Sequence, residues 1–95
     1  MNTCIKVPKE MIEELRQTSK RLGLSLGGTL QEAIHYVIRN DTHLTYILPE
    51  LEEEQNVAIN PDLLKKVDRL KNRLMFKYRI DLIKSLFITG IFKEL

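Results

Sequence analysis

Two short stretches of this chain share one plan, and together they restrict what it can fold into. Thr3-Cys4-Ile5-Lys6-Val7-Pro8 alternates apolar Ile5 and Val7 with Cys4 and Lys6, then stops at a proline. Asn56-Val57-Ala58-Ile59-Asn60-Pro61 follows the same plan, with its apolar residues 52 positions later and its proline 53. Alternation with a period of two predicts a strand with one buried face. A lone strand leaves its N–H and C=O groups without partners. Two such strands in one chain can pair with each other, antiparallel. Each proline can open a helix, because its missing N–H would be an orphan in the first turn anyway.

The helical pattern follows each strand. Met11, Ile12, Leu15, Ser19 and Leu22 recur at helical spacing, with Glu13, Glu14, Arg16, Lys20 and Arg21 on the other face. Gly23 is expected to end this helix. After Leu24-Ser25-Leu26, a second helix is expected over about 27–39, with Leu30, Ala33, Ile34, Val37 and Ile38 as its stripe. Ser25 and Thr29 are both candidate N-caps. In the second copy Asn60 is a cap and Leu63, Leu64, Val67, Leu70 and Leu74 repeat the first stripe. A turn is expected over 75–79 and a last helix over 80–95, apolar on most faces and so buried centrally. At an offset of 52, Ile5, Val7, Met11, Ile12, Leu15 and Leu22 map without a gap to Val57, Ile59, Leu63, Leu64, Val67 and Leu74. In the last helix the register stays open, since Leu30 can match Leu82 or Ile83. The second helices are expected to cross at the centre, with Ala33 and Gly90 allowing close approach.

Three segments follow: a first copy at 1–39, a connector at 40–55 and a second copy at 56–95, the two copies folding as one domain. The net charge of +2 hides their contrast. The first copy carries six Lys/Arg against four acids, the connector no Lys/Arg and five acids, the second copy nine bases against four acids. Two basic blocks around an acidic connector suit a polyanionic partner. The connector is not a free linker, because it holds Leu44, Tyr46, Ile47, Leu48 and Leu51. It is expected to pack partly on the outside, and its 49–54 stretch is compatible with an added helical turn. Fully extended, its sixteen residues reach roughly 50 Å, enough for the strands to pair within one chain.

One cysteine, Cys4, excludes an internal disulfide and a zinc cluster, and His35 and His43 lack the partners a metal site needs. No cofactor is expected. No nucleophile–base set, Gly-rich phosphate loop or paired carboxylate stands out, so no enzymatic role is assigned. The stretch 80–92 is interrupted by Asp81, Lys84 and Ser85 and is too short to span a bilayer. No signal peptide is visible, so a cytoplasmic location without membrane contact is expected.

Strand, proline, helix, glycine turn, helix resembles the plan of the ribbon-helix-helix proteins, the Arc/MetJ class of repressors. Ile5-Lys6-Val7-Pro8, Gly23-Leu24-Ser25 and Leu30-x-x-Ala33-Ile34 carry the resemblance in the first copy. Val57-Ala58-Ile59-Asn60-Pro61 and Arg79-Ile80-Asp81-Leu82-Ile83-Lys84 carry it in the second. Family members usually supply one copy per chain and dimerise; a tandem copy is similar to conjugative-transfer members of the class. The fold implied is mainly α with a short two-stranded antiparallel β-ribbon, a tandem βαα-βαα arrangement forming one pseudo-twofold domain.

The resemblance also implies a function: sequence-specific binding of double-stranded DNA, with the ribbon in the major groove. The protein would then be a small transcriptional repressor or an accessory protein of plasmid replication, partition or transfer. Thr3, Ile5, Val7, Val57 and Ile59 would face the core. Asn2, Cys4, Lys6, Asn56 and Ala58 would face base edges: Lys6 toward guanine or a phosphate, Asn2 or Asn56 toward adenine, Ala58 toward a thymine methyl. Glu54 is expected to lie outside the ribbon. Phosphates would be held at the starts of the second helices, by Ser25, Gly27, Gly28 and Thr29 in the first copy and by Lys77 and Arg79 in the second. Self-association on adjacent sites is a further expectation. Two other readings stand beside this one: an antitoxin-like protein-interaction module, and a helix-turn-helix binder using 30–38 as its recognition helix.

Overall fold

The structure, a computed structural model, describes residues 3–95. Strand β1 (Cys4–Pro8) leads through a single 3-10 turn (Lys9–Met11) into α1 (Ile12–Leu22) and α2 (Leu26–Asn40). After an irregular connector come β2 (Glu54–Ala58), α3 (Pro61–Arg73), α4 (Arg79–Thr89) and the short α5 (Ile91–Glu94). The chain is therefore mainly helical with one two-stranded antiparallel sheet, as the sequence leads one to expect.

The strands pair in the register Cys4–Ala58, Ile5–Val57, Lys6–Asn56, Val7–Gln55 and Pro8–Glu54. Backbone bonds carry the ribbon one residue further at each end, from Ile59 N–H to the Thr3 carbonyl and from Lys9 N–H to the Glu53 carbonyl, both 2.9 Å. The odd-numbered apolar residues set this register. Ile5, Val7, Val57 and Ile59 are buried, and a slip of one residue would turn all of them to water. β2 thus begins at Glu54, two residues earlier than local alternation suggests.

Beneath the ribbon the helices enclose one core. Leu15, Leu30, Ile34, Leu82, Leu86 and Phe92 are among its fully buried side chains. Phe87 and Phe92 stack within it, ring centroids 4.2 Å apart. One polar seam runs between α1 and α2: Ser19 Oγ donates to Thr29 Oγ1 at 2.7 Å, and Thr29 Oγ1 donates to the Ser25 carbonyl at 2.8 Å. Both hydroxyls are buried, and the seam satisfies them without water. Ser25 is the N-cap of α2, accepting from Gly28 N–H at 2.9 Å. Asn60 caps α3 the same way, through Asp62 N–H, with Pro61 in the first turn.

Two expectations fail, one in the second copy and one in the connector. The last helix is not continuous: Gly90, at φ +91, ends α4 and α5 restarts after it. Gly90 has no neighbour a Cβ would meet, so its role is to stop the helix rather than to admit a partner. Ile88 is half exposed, so α4 keeps one wet face. The connector adds no helical turn. Its 42–53 stretch is irregular. Leu44 is buried, Thr45 N–H donates to Thr89 Oγ1 at 3.0 Å, and the Tyr46 ring stacks on Phe76 at 4.8 Å. The bond from Lys9 to Glu53 then draws its far end straight into the ribbon. Asn40 belongs to α2, and Glu54 and Gln55 to β2.

Met75 sits 52 residues after Gly23, and both adopt left-handed backbone, φ +65 and +70. For Gly23 this is free; for methionine it costs about 1–2 kcal/mol. Met75 is 87% exposed, so its side chain contributes little burial in return. Met75→Gly is expected to raise stability by roughly 0.5–1 kcal/mol after allowing for the greater freedom of glycine in the unfolded chain. Urea denaturation measures this directly.

Candidate functional site

The outward face of the ribbon presents Cys4, Lys6, Glu54, Asn56 and Ala58, all exposed. Four of these were expected there from the sequence; Asn2 lies outside the described residues. Pairing places Lys6 opposite Asn56 and Cys4 opposite Ala58, so the four form two adjacent cross-strand pairs.

Glu54 is the correction. It was expected outside the ribbon and instead is part of β2, with its carboxylate 3.7 Å from Lys6 Nζ. At the next position Lys9 Nζ meets the Glu53 carboxylate at 3.1 Å. Both cations of the first strand region therefore carry a nearby counter-charge from the acidic connector. Such exposed pairs are worth about 0–1 kcal/mol each, so an incoming anion can displace them at small cost.

The starts of α2 and α4 lie on either side of this face. Gly27, in the first turn of α2, packs against the backbone of Ala58 and Ile59; a Cβ there would run into the Ala58 carbonyl oxygen. On the other side, Tyr78, Arg79 and Ile80 line a hollow of about 360 Å³ together with Cys4, Ile5, Lys6, Glu54 and Asn56. A groove thus runs between the ribbon and the start of α4.

The candidate phosphate contacts fare unequally. Ser25 is exposed, but its Oγ is engaged by Gly28 N–H. Gly27 and Gly28 are half-buried. Thr29 is fully buried, with both its N–H and its hydroxyl bonded to the Ser25 carbonyl, so it offers nothing to a ligand. Its place in a period-3.6 stripe between Leu26 and Leu30 was the available signal that it faces inward. Lys77 is exposed and holds its Nζ 5.3 Å above the Tyr78 ring. Tyr78, half exposed beside the ribbon, was missed by the sequence reading. Arg79 is clamped in two places by Asp68, Nε to Oδ1 at 2.7 Å and a second nitrogen to Oδ2 at 2.9 Å. Lys77 is therefore the freer charge of the second set.

The Asp68–Arg79 pair also ties α3 to α4. The Arg79 hydrogen bond holds the Asp68 carboxyl below its ordinary 3.8, against an opposing effect of burial, and Asp68 in turn raises Arg79. A lowered carboxyl stabilises the fold above the ordinary value and loses that contribution as pH falls through the lowered one. Wild type and Asp68→Asn are expected to differ by under about 1 kcal/mol at neutral pH, the scale of an exposed pair. The difference should begin to shrink below the ordinary value of 3.8 and vanish only below the lowered one, read by denaturant titration across pH.

Among the described residues no cluster of three or more His, Cys, Asp or Glu could hold a metal, and no helix is long and apolar enough to cross a membrane. The chain matches no family model, no curated protein and no solved structure.

Proposed function

We propose that this chain is a tandem ribbon-helix-helix protein that binds double-stranded DNA sequence-specifically, laying the outward face of β1 and β2 in the major groove. It would act as a small repressor or as an accessory protein of a plasmid or mobile element. One observation carries the reading: an exposed antiparallel ribbon flanked by the starts of α2 and α4. A two-stranded ribbon fits the width of the major groove, and helix starts beside it can take the bordering phosphates.

The register supports the tandem arrangement. Ile5 pairs with Val57, and these two are also equivalent in the repeat. The pairs on either side, Cys4–Ala58 and Lys6–Asn56, exchange under the same offset, so a pseudo-twofold axis would pass through Ile5 and Val57. The face itself is unlike in its two halves, which suits an asymmetric site. The helix-turn-helix alternative has less support, because Gln31, Glu32, His35 and Tyr36 on α2 are half-buried against neighbouring elements.

Selection of bound sequences from random duplex DNA, followed by shift assays over a salt series, tests the proposal. Recovery of one non-palindromic sequence with steep salt dependence is expected. No enrichment, or equal affinity for all duplexes, would sink it.

Glu54→Gln provides a sharper check. Removing the carboxylate frees Lys6 and lifts a repulsion toward phosphate. Affinity for the selected site should rise by about 1 kcal/mol, roughly five-fold. A loss of affinity would instead place Glu54 on a base, as an acceptor from cytosine N4.

A further inference from the structure

Away from the ribbon, the surface between α2 and α3 gathers several cations around an exposed apolar side chain. His35, Ile38 and Arg39 line one shallow hollow, and Ile38, Lys66, Arg69, Leu70 and Arg73 line the next, of about 240 Å³. Lys66 Nζ donates to His35 Nε2 at 2.9 Å and bridges the two helices. Among the described residues, Arg39, Lys66, Arg69 and Arg73 have no carboxylate partner. Ile38, which the sequence places in the α2 stripe, is 43% exposed in the middle of this basic groove. The groove is remote from the ribbon. α2 touches β2 at Gly27, and Ile38 lies eleven residues further on, about 16 Å along the helix.

The connector has the opposite character. Ile47 is 85% exposed, the most exposed aliphatic side chain described apart from Met75. It is held outward, because its neighbours are fixed: Thr45 to Thr89, Tyr46 on Phe76, and Leu48 half-buried. Glu53 and Glu54 pair with Lys9 and Lys6, but Glu50 and Glu52 are exposed and have no cation partner among the described residues. An apolar side chain followed by two free carboxylates complements an apolar hollow bordered by free cations. The spacings agree as well. Glu50 to Glu52 spans up to about 7 Å of extended chain, and Arg69 to Arg73 rises about 6 Å along α3.

We infer that this groove receives the connector of a second copy of the chain, with Ile47 against Ile38 and Glu50 and Glu52 against Arg69 and Arg73. The contact is heterologous, one surface of each copy meeting a different surface of the next. It therefore builds open rows or rings rather than closed twofold dimers. Neither surface includes a residue of the ribbon face, so the association is separable from DNA binding.

Sedimentation equilibrium of the full chain without DNA, over a range of concentrations at low and high salt, tests this. At low salt the mass should climb above the 11.1 kDa of one chain as concentration rises, and fall back at high salt. R69E/R73E, E50K/E52K and Ile47→Asp should each remain monomeric with an unchanged circular dichroism spectrum. Mixing R69E/R73E with E50K/E52K should restore the higher mass, because each then offers the charge the other lacks. A wild type that stays monomeric throughout overturns the inference, as does association that the variants leave intact. If R69E/R73E leaves the mass unchanged but weakens retention of duplex DNA, the groove is a nucleic-acid surface and the inference fails.

Discussion

Replacing Lys6 and Asn56 together by alanine is expected to weaken binding to a selected duplex by about 3 kcal/mol, roughly a hundredfold. The two residues are directly opposite in the ribbon and exposed, so neither change removes a core contact. The far-ultraviolet circular dichroism and the denaturation midpoint should therefore be unchanged. The single variants divide the effect by mechanism. If Lys6 holds a phosphate, Lys6→Ala weakens binding uniformly across sequences and lowers the salt slope by about one. If it holds a guanine, discrimination at one position relaxes instead. Because the two side chains are neighbours, their effects are not expected to add. Unchanged affinity in the double variant would remove the ribbon from the interface.

Gly27→Ala should destabilise the protein by about 1–3 kcal/mol, since its Cβ would overlap a backbone carbonyl that cannot rotate away. The higher helix propensity of alanine offsets at most about 1 kcal/mol of this. Gly28→Ala is the control. There the nearest atom is the Ser25 hydroxyl at 3.1 Å, on a small side chain that can give way. Gly28→Ala should thus be near neutral, although the two glycines are adjacent in the first turn of the same helix. A chemical denaturation series reads both. Equal effects would mean that the close approach of α2 to β2 does not limit stability. Any Gly27 variant that folds is also expected to bind DNA poorly, because relief of the overlap must move β2 against α2.

The sequence is most informative where its signals are local. Proline after an alternating strand, asparagine or serine before a helix, and glycine after one each act within a few residues. These placed both strands, the starts of α2 and α3 and the end of α1 close to where they lie. Recurrence at a fixed offset then paired the strands. What stayed hidden depends on partners distant in sequence. Glu54 enters the ribbon because its antiparallel partner is Pro8, which no pattern around residue 54 reveals. Arg79 reads as a free cation until the fold brings Asp68 to it from the preceding helix. Gly27 reads as a helix start that lets a phosphate approach the backbone, while its real constraint comes from the carbonyl of Ala58. The break at Gly90 is a different failure. The apolar pattern continues through it in phase and conceals the stop.

The connector has one more consequence. It joins two strands that would otherwise meet by diffusion, and it is anchored along its length by Leu44, Tyr46 and the bond from Lys9 to Glu53. A ribbon assembled from two separate chains disappears on dilution, and its occupancy of a site then follows the square of the chain concentration. Here the effective concentration of one strand for the other is set by the connector and not by expression level. Filling of a single isolated DNA site should therefore follow the first power of protein concentration, even when only a few molecules are present in a cell.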